Sequence, residues 1–88
     1  MREYHAEFII SYDSHGELYE FEHENEVFTD FDEAQKYIQR NIVAWFNERM
    51  ADIYGEFIIK KINAEDDSVQ TEWRYGYDGQ LIGREENG

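Results

Sequence analysis

The stretch that decides the fold runs from residue 30 to residue 52 and reads DFDEAQKYIQRNIVAWFNERMAD. Its apolar side chains recur at the 3.6-residue period of an α-helix, so they share one stripe along the helix. Arg49 also falls inside this stripe, so either its charge extends to water or the helix ends before it. Because a single stripe must be covered by another layer, the stretch predicts a two-layer domain. The stripe, which Ile53 continues, consists of Phe31, Ala34, Ile38, Ile42, Trp45 and Phe46.

Polar residues mark the ends of this helix. Thr29 or Asp30 is a suitable N-cap, and Asp30 with Glu33 has the spacing of a capping box. Asp32 and Glu33 also lie in the first turn, where the helix dipole favours negative charge. Gly55 is a suitable stop, because glycine adopts the left-handed conformation that ends many helices. The sequence predicts one amphipathic helix from about residue 30 to about residue 52.

Two alternating segments precede the helix and predict a β-hairpin. In residues 4–12 every second side chain is apolar or aromatic, as in a strand with one buried face. Residues 13–16, DSHG, form the predicted loop, because Gly16 can take a positive φ. Residues 18–24 alternate again. Their aromatic face carries Tyr19, Phe21 and His23, and the opposite face carries Glu20, Glu22 and Glu24.

Matching the apolar faces of the two strands sets the predicted register. The four-residue loop places Ile10 opposite Tyr19. It also places Phe8 opposite Phe21. An alternative register pairs Tyr12 with Tyr19 and keeps the same faces together. In both registers the row of glutamates lies on the face of the sheet that the helix does not cover.

Two further strands are predicted after the helix. Residues 56–63 and residues 69–77 read as strands, and residues 64–68, AEDDS, form a polar turn between them. The dipeptide Asp-Gly at residues 78–79 is a hairpin signal, and residues 80–82 then add a short strand.

These elements predict one fold class and one domain. The class is α+β, with a two-layer architecture in which an antiparallel sheet of four to five strands, in the order ββαββ, carries one long amphipathic helix on one face. Residues 1–84 form a single domain, and residues 85–88 form a frayed C-terminal tail.

Negative charge is concentrated in the first part of the chain. Residues 3–35 contain eleven carboxylates and no Lys or Arg. The formal net charge of the chain is -13. Residues 1–35 contribute -10, from the eleven carboxylates and Arg2. Residues 36–88 contribute only -3, from ten acidic and seven basic residues. Concentrating one sign in this way adds self-repulsion to the folded state, which either solubility or a basic partner explains.

Composition favours a folded protein without disulfides. Aromatic residues make up 17% of the chain, which is too much apolar material for a disordered acidic tail. The chain has no Cys and no signal-peptide layout, and its longest apolar run, residues 42–46, is far too short to span a membrane. We expect a cytoplasmic protein. Its acidity argues against direct binding to nucleic acid or to anionic membranes, since both are polyanions.

No pattern of catalytic or metal-binding residues is present in the sequence. The acidic turns, Asp13 with His15 and residues 65–67, lack the spacing of a calcium loop or a zinc-binding helix. The serines lack the Gly-x-Ser-x-Gly elbow of a hydrolase. Paired carboxylates would act as acid and base only if one of them lay in an apolar pocket. We therefore expect no metal, no cofactor and no enzymatic activity.

The row of glutamates is the candidate binding surface. Alternate residues on a strand lie ~6.6–6.8 Å apart, so the row is a regular line of negative charge. Each strand of duplex DNA carries one phosphate per ~3.4 Å of axis, and a protein cleft lined with Lys and Arg would attract either row. The predicted protein-binding residues are Glu7, Glu20, Glu22, Glu24 and Glu26.

In size, acidity and lack of cysteine the chain resembles the small DNA-mimic proteins with which phages and mobile elements block restriction or CRISPR nucleases. The resemblance rests on the carboxylates of residues 3–33 and on no diagnostic motif. It implies that the protein inhibits a basic DNA-binding protein by occupying its nucleic-acid groove. We expect the protein itself to be a monomer or a homodimer. For a phage-encoded protein, the compartment is the host cytoplasm.

An alternative is a small structural or adaptor domain whose acidic face is only solvated. Two exposed like charges ~4 Å apart cost only about 1 kcal/mol in water, so a solvated acidic face is common. Such a domain would bind through an apolar surface, for example as a homodimer. The candidate apolar patch consists of Ile9, Tyr37, Val43 and Leu81.

Overall fold

A computed structural model describes residues 2–46 and 53–87 of the protein. Strands β1 (Arg2–Ser14) and β2 (Glu17–Phe28) precede helix α1 (Phe31–Phe46). Strands β3 (Ile53–Asn63), β4 (Val69–Tyr75) and β5 (Leu81–Glu86) follow it. The protein is therefore an α+β fold in which a helix accompanies an antiparallel sheet. No helix in these residues is long and apolar enough to cross a membrane.

The described strands form one antiparallel sheet in the order β2-β1-β3-β4-β5. Helix α1 lies on one face, which we call the helix side, and we call the other the uncovered face. Because β2 lies at an edge of the sheet, the acidic β1–β2 hairpin forms one side of the molecule. The core between helix and sheet consists of Ala6, Phe8, Ile10, Ala34, Ile38, Ile42, Phe57, Ile59 and Tyr75.

Helix α1 begins where the sequence predicts. Asp30 is the N-cap, because its Oδ1 accepts a hydrogen bond from the backbone N–H of Asp32 at 3.3 Å. The helix is described as far as Phe46, so its predicted extension to residue 52, with Arg49, lies outside the described residues. The predicted apolar stripe does face the core, with buried side chains at Ala34, Ile38 and Ile42.

Two predictions about the end of the helix are wrong. Ile53 and Gly55 belong to β3 and not to a helical stripe or a helix stop. They pair with Tyr12 and Ile10 of β1, which is long enough to supply hydrogen-bond partners for their backbone groups. This tertiary pairing overrides the helical period of the side chains. Gly55 is also needed for packing, since a Cβ at this position would meet the Phe57 ring at 2.7 Å.

The β1–β2 hairpin does not keep one predicted register along its length. Tyr12 pairs with Tyr19, as the alternative register predicts. The predicted pairing of Ile10 with Tyr19 is wrong, because Ile10 pairs with Glu22. Phe21 is the extra residue of a β-bulge between these pairs, and its predicted inward side chain lies outside the described part of the structure. A bulge shifts the alternation of a strand by one residue. The residues on the helix side beyond the bulge are Glu22, Glu24, Glu26 and Phe28.

The bulge reconciles two aromatic contacts that a regular strand cannot make together. Tyr19 and Phe28 are nine residues apart, so a regular strand would place them on opposite faces. With the bulge both lie on the helix side, where Tyr19 stacks on Tyr12 with ring centroids 5.4 Å apart. Phe28 contacts Tyr37 with centroids 5.5 Å apart. Each aromatic pair contributes about 0.5–1.5 kcal/mol beyond the area that it buries.

The last hairpin also differs from the prediction. β4 ends at Tyr75, so Tyr77, which was predicted to lie in the strand, belongs to the connection between β4 and β5. β5 continues to Glu86, which pairs with Thr71, whereas the sequence assigned residues 85–88 to a frayed tail. Backbone pairing with β4 explains the difference, since polar residues extend a strand when a neighbour supplies hydrogen bonds.

Gly79, in the connection between β4 and β5, joins the end of the sheet to the helix. Its carbonyl oxygen accepts a hydrogen bond from Gln39 Nε2 at 2.8 Å, and its φ is 81°. A Cβ at this position would collide with the Gln39 side chain. We expect Gly79→Ala to lower the free energy of unfolding by about 2–3 kcal/mol, because it adds a strained left-handed residue and displaces Gln39.

The control for this prediction is Gly16→Ala, and chemical denaturation measures both variants. Gly16 has a φ of 83°, but a Cβ there has no described atom within 4 Å. We expect Gly16→Ala to cost only the backbone strain, about 1–2 kcal/mol. Equal losses in the two variants would show that the contact with Gln39 adds nothing to stability.

Candidate functional site

The β-bulge divides the five predicted binding residues between the two faces of the sheet. Glu22, Glu24 and Glu26 lie on the helix side, opposite core residues of β1. Glu7 and Glu20 lie on the uncovered face. The prediction that one exposed face carries all five is therefore wrong, because the extra residue reverses the alternation between Glu20 and Glu22. We call Glu22, Glu24 and Glu26 the acidic ridge.

The acidic ridge follows an open edge of the sheet, beside helix α1. β2 is the outermost strand on this side of the described sheet. Glu24 and Glu26 are exposed, and Glu22 is partly exposed. Within residues 2–46 and 53–87, no carboxylate of the ridge forms an ion pair. The ridge therefore presents three carboxylates to solvent on alternate residues of one strand.

Glu22 and Glu24 interact directly. A hydrogen bond between the two carboxyl groups raises the pKa of Glu22 above its ordinary value, and desolvation and the charge of Glu24 raise it further. Two neighbouring carboxyl groups each disfavour the ionised form of the other, which is the direction of this shift. The cause of the raised pKa is a neighbouring acid, whereas a carboxylate hydrolase needs a carboxyl group in an apolar pocket.

Tyr37 of helix α1 lies within the electrostatic field of the ridge. Burial raises the pKa of the Tyr37 hydroxyl, and the charges of Glu24 and Glu26 raise it further. The nearby charge of Arg40 acts in the opposite direction and lowers the same pKa. Because the ring of Tyr37 also contacts Phe28, the ridge borders the hydrophobic core on its inner side and water on its outer side.

Removing the charge of Glu22 should stabilise the fold at neutral pH. Because the pKa of Glu22 is raised in the folded state, the protonated carboxyl group stabilises the fold. This stabilisation is complete below the pKa of the unfolded chain and is lost as the pH rises through the pKa of the folded state. We therefore expect Glu22→Gln to be more stable than the wild type near neutral pH and to show no gain near the reference pKa of ~4 or below.

Chemical denaturation at acidic and at neutral pH measures this difference. Glu65→Gln is the matched control, because it removes one exposed carboxylate in the β3–β4 turn, away from the ridge. An equal gain from Glu65→Gln would mean that net charge, and not the Glu22–Glu24 contact, sets the pH dependence.

Glu7 and Glu20 flank a histidine on the uncovered face. His23 Nε2 lies 3.6 Å from Glu7 Oε2, and His23 Nδ1 lies 3.3 Å from Glu20 Oε1. When it is protonated, His23 neutralises part of this negative charge. These two carboxylates therefore differ from the acidic ridge, because an ionisable base lies beside them.

A cleft of about 430 Å³ opens on the uncovered face, where β3 extends beyond the end of β4. Glu20 is the only predicted binding residue among its described lining residues. The cleft is also lined by Tyr54, Glu56 and Tyr77, none of which is among the residues predicted to bind. Tyr54 and Glu56 lie two residues apart on β3, whereas Tyr77 belongs to the connection between β4 and β5 and Glu20 to β2, so only the pairing of the strands brings the four residues together.

The predicted apolar patch is dispersed over the molecule. Ile9 lies on the uncovered face, whereas Val43 and Tyr37 belong to the helix on the other side. Val43 is exposed, but Tyr37 is half-buried among core aromatic rings. Leu81 lies on β5, at the other edge of the sheet from β2. These four residues therefore do not form one surface.

The described residues contain no group of three or more Asp, Glu, His or Cys side chains placed to hold a metal ion. The chain matches no protein-family model, no curated protein and no solved structure.

Proposed function

We propose that this protein is a non-enzymatic inhibitor, an acidic DNA mimic that occupies the basic nucleic-acid-binding surface of a nuclease or another DNA-binding protein. The observation that carries the proposal is the acidic ridge, a row of carboxylates on an edge strand that forms no ion pair within the described chain. Such a row is complementary to a groove lined with Lys and Arg. Solubility alone is served equally well by interspersed charges of both signs.

The spacing along the ridge supports the proposal. Alternate residues of a strand lie ~6.6–6.8 Å apart, and two phosphate steps along one DNA strand cover about 6.8 Å. The three carboxylates of the ridge cover two such intervals, roughly 13 Å along β2. The ridge can therefore lie along part of a groove that normally holds one DNA strand.

The sheet order turns the charge asymmetry of the sequence into an asymmetry in space. The acidic strands β1 and β2 carry Arg2 as their one Lys or Arg residue. The other basic residues of the described sheet lie on β3, β4 and β5: Lys60, Lys61, Arg74 and Arg84. Two strand spacings, roughly 9.5 Å, separate β2 from β3, which is comparable with the Debye length of ~8 Å at physiological salt. Basic residues of the sheet therefore screen the ridge only weakly.

The resemblance to phage and mobile-element proteins supplies the biological setting of the proposal. In that setting the target is a restriction or CRISPR nuclease, and the protein acts in the host cytoplasm. Inhibition needs no metal, no cofactor and no reaction, because an occupied groove cannot bind DNA.

Capture from a cell lysate, followed by elution with duplex DNA, tests the proposal. The tagged protein is immobilised and washed at low salt, and bound proteins are eluted with duplex DNA and then with high salt. We expect nucleic-acid-binding proteins to be retained and then released by DNA, because DNA and the ridge compete for one basic surface. Capture that duplex DNA does not displace would reject the proposal.

A structural or adaptor domain is the second candidate. It is supported by exposed apolar side chains that lie together on the uncovered face, at Leu18 and Tyr54. Sedimentation at moderate salt distinguishes the two candidates. A homodimer whose affinity ignores salt would favour the adaptor, and a strict monomer with salt-sensitive partner binding would favour the inhibitor.

A further inference from the structure

The cleft on the uncovered face combines aromatic, aliphatic and acidic walls. Its volume of about 430 Å³ is within the range of small-molecule sites. Ile9 and Ser11 of β1 form its floor, because their neighbours on both sides, β2 and β3, also contribute lining residues. None of the described lining residues is Lys, Arg or His.

The aromatic wall is held in place by the fold. The ring of Tyr77 stacks on Phe46 of the helix, with centroids 4.6 Å apart and an angle of 15° between the planes. The Tyr77 hydroxyl also accepts a hydrogen bond from the Gly55 N–H at 3.4 Å. Tyr54 pairs with Ser11 across the β1–β3 ladder and is 41% exposed. Tyr77 therefore offers aromatic surface without a large loss of side-chain freedom on binding, and Tyr54 adds further exposed aromatic surface.

Two carboxylates stand on opposite sides of the floor. Glu20 pairs with Ser11 from β2, and Glu56 pairs with Ile9 from β3. Glu20 lies on this face and Glu22 on the helix side, because the bulge at Phe21 lies between them. The bulge therefore separates the carboxylates of β2, so that Glu20 lines the cleft and Glu22 begins the acidic ridge.

We propose that this cleft binds a guanidinium group on an aliphatic stem, the chemistry of an arginine side chain of a partner protein. A carboxylate accepts the planar guanidinium fork through two parallel hydrogen bonds. The faces of tyrosine rings attract the delocalised cation, and Ile9 and Leu18 contact the stem. An ammonium group fits less well, because it is a compact and strongly hydrated point charge.

This inference rests on the proposed function for the source of the arginine, since a basic groove supplies arginines beside the ridge. Arginine is also enriched among the residues that dominate binding energy at protein interfaces. The cleft would then anchor one arginine of the partner while the acidic ridge follows the remainder of its groove. Binding of a guanidinium compound by the cleft itself does not depend on that partner.

Titrations followed by amide NMR of the full chain test the inference with defined probes. The first probe is N-acetyl-arginine methylamide, which presents the side chain as it occurs in a protein. The second probe is agmatine, a free guanidinium compound. The corresponding lysine amide tests the shape of the cation, because it carries an ammonium group in place of the guanidinium group. The norleucine amide tests the contribution of the apolar stem alone. We expect saturable shifts at Ser11, Tyr54 and Glu56 with the arginine amide, and weaker binding of both comparators.

Paired variants establish where the probe binds. Glu56→Gln should weaken binding of the arginine amide about tenfold, the loss expected for one charge-assisted hydrogen-bonded pair. Tyr54→Leu should weaken it by a smaller factor, because it removes the aromatic face but keeps an apolar wall. Glu65→Gln removes the same charge from the turn between β3 and β4, outside the cleft and the ridge, and should leave binding unchanged.

Each other outcome has a defined meaning. Norleucine amide that binds equally well, shifts confined to the ridge, or equal effects of Glu56→Gln and Glu65→Gln would overturn the inference. Tighter binding of agmatine than of the arginine amide would overturn the assignment to a protein side chain. If the arginine amide binds the cleft but duplex DNA does not displace the proteins captured from the lysate, the proposed function is rejected. The assignment of the cleft as a guanidinium site is then retained.

Discussion

We expect the replacement of Phe57 by alanine to lower the free energy of unfolding by about 3–5 kcal/mol. Phe57 lies at the centre of the core and is 1% exposed. Its ring stacks on Phe8 and meets the edge of Phe46, with both pairs of centroids 5.9 Å apart. Alanine would leave a cavity between the sheet and the helix, and the stability of a chain of this length is only about 4–13 kcal/mol.

Urea denaturation followed by circular dichroism measures the effect. Leu18→Ala is the control, because Leu18 is 64% exposed and its truncation should change the free energy of unfolding by no more than about 0.5 kcal/mol. Phe57→Leu should lose less stability than Phe57→Ala, since it leaves a smaller cavity. A loss below about 1 kcal/mol in Phe57→Ala would mean that Phe57 is not packed between the sheet and the helix.

We expect charge reversal on the acidic ridge to weaken binding to a captured nucleic-acid-binding protein by about 100-fold at low salt. Each reversal replaces an attraction by a repulsion of about 1 kcal/mol in water at ~4 Å. Two reversals, Glu24→Lys with Glu26→Lys, would therefore lower the binding free energy by about 4 kcal/mol without screening. We take about 2.7 kcal/mol of this loss to remain after screening by salt, which corresponds to a 100-fold weaker affinity.

A titration of the purified partner at several salt concentrations measures this effect. Glu65→Lys with Glu85→Lys is the matched control, because it changes the net charge by the same amount at exposed positions away from β2. The control should weaken binding much less, and the gap between the two double variants should shrink as salt increases. Equal weakening by both would assign the attraction to net charge and would remove the ridge as a site.

The elements that rest on local pattern were predicted well. The stripe around Ile38 and the N-cap at Asp30 predicted the start and the buried face of the helix, because both signals lie within a few residues of one another. The alternation around Phe8 likewise predicted the strand that lies at the centre of the core. Predictions failed where a contact distant in the sequence decides the outcome. Ile53 fits the helical period but pairs with Tyr12, some forty residues earlier.

The candidate site shows the same division. The sequence identified Glu22, Glu24 and Glu26 as a row but assigned them to the wrong face of the sheet. The extra residue at Phe21 reverses the faces, and a regular alternation from Tyr19 to His23 conceals it. The cleft was missed entirely, because Glu20, Tyr54 and Tyr77 come together only when the strands pair.

The amino-acid sequence by itself determined that this protein folds, which class of fold it takes and where its negative charge is concentrated. These properties depend on composition and on periods of a few residues, and both can be counted along a chain. Only the tertiary structure decided which face each carboxylate occupies. A strand keeps its alternation until a bulge shifts it by one residue, and here the bulge allows both Tyr19 and Phe28 to lie on the helix side.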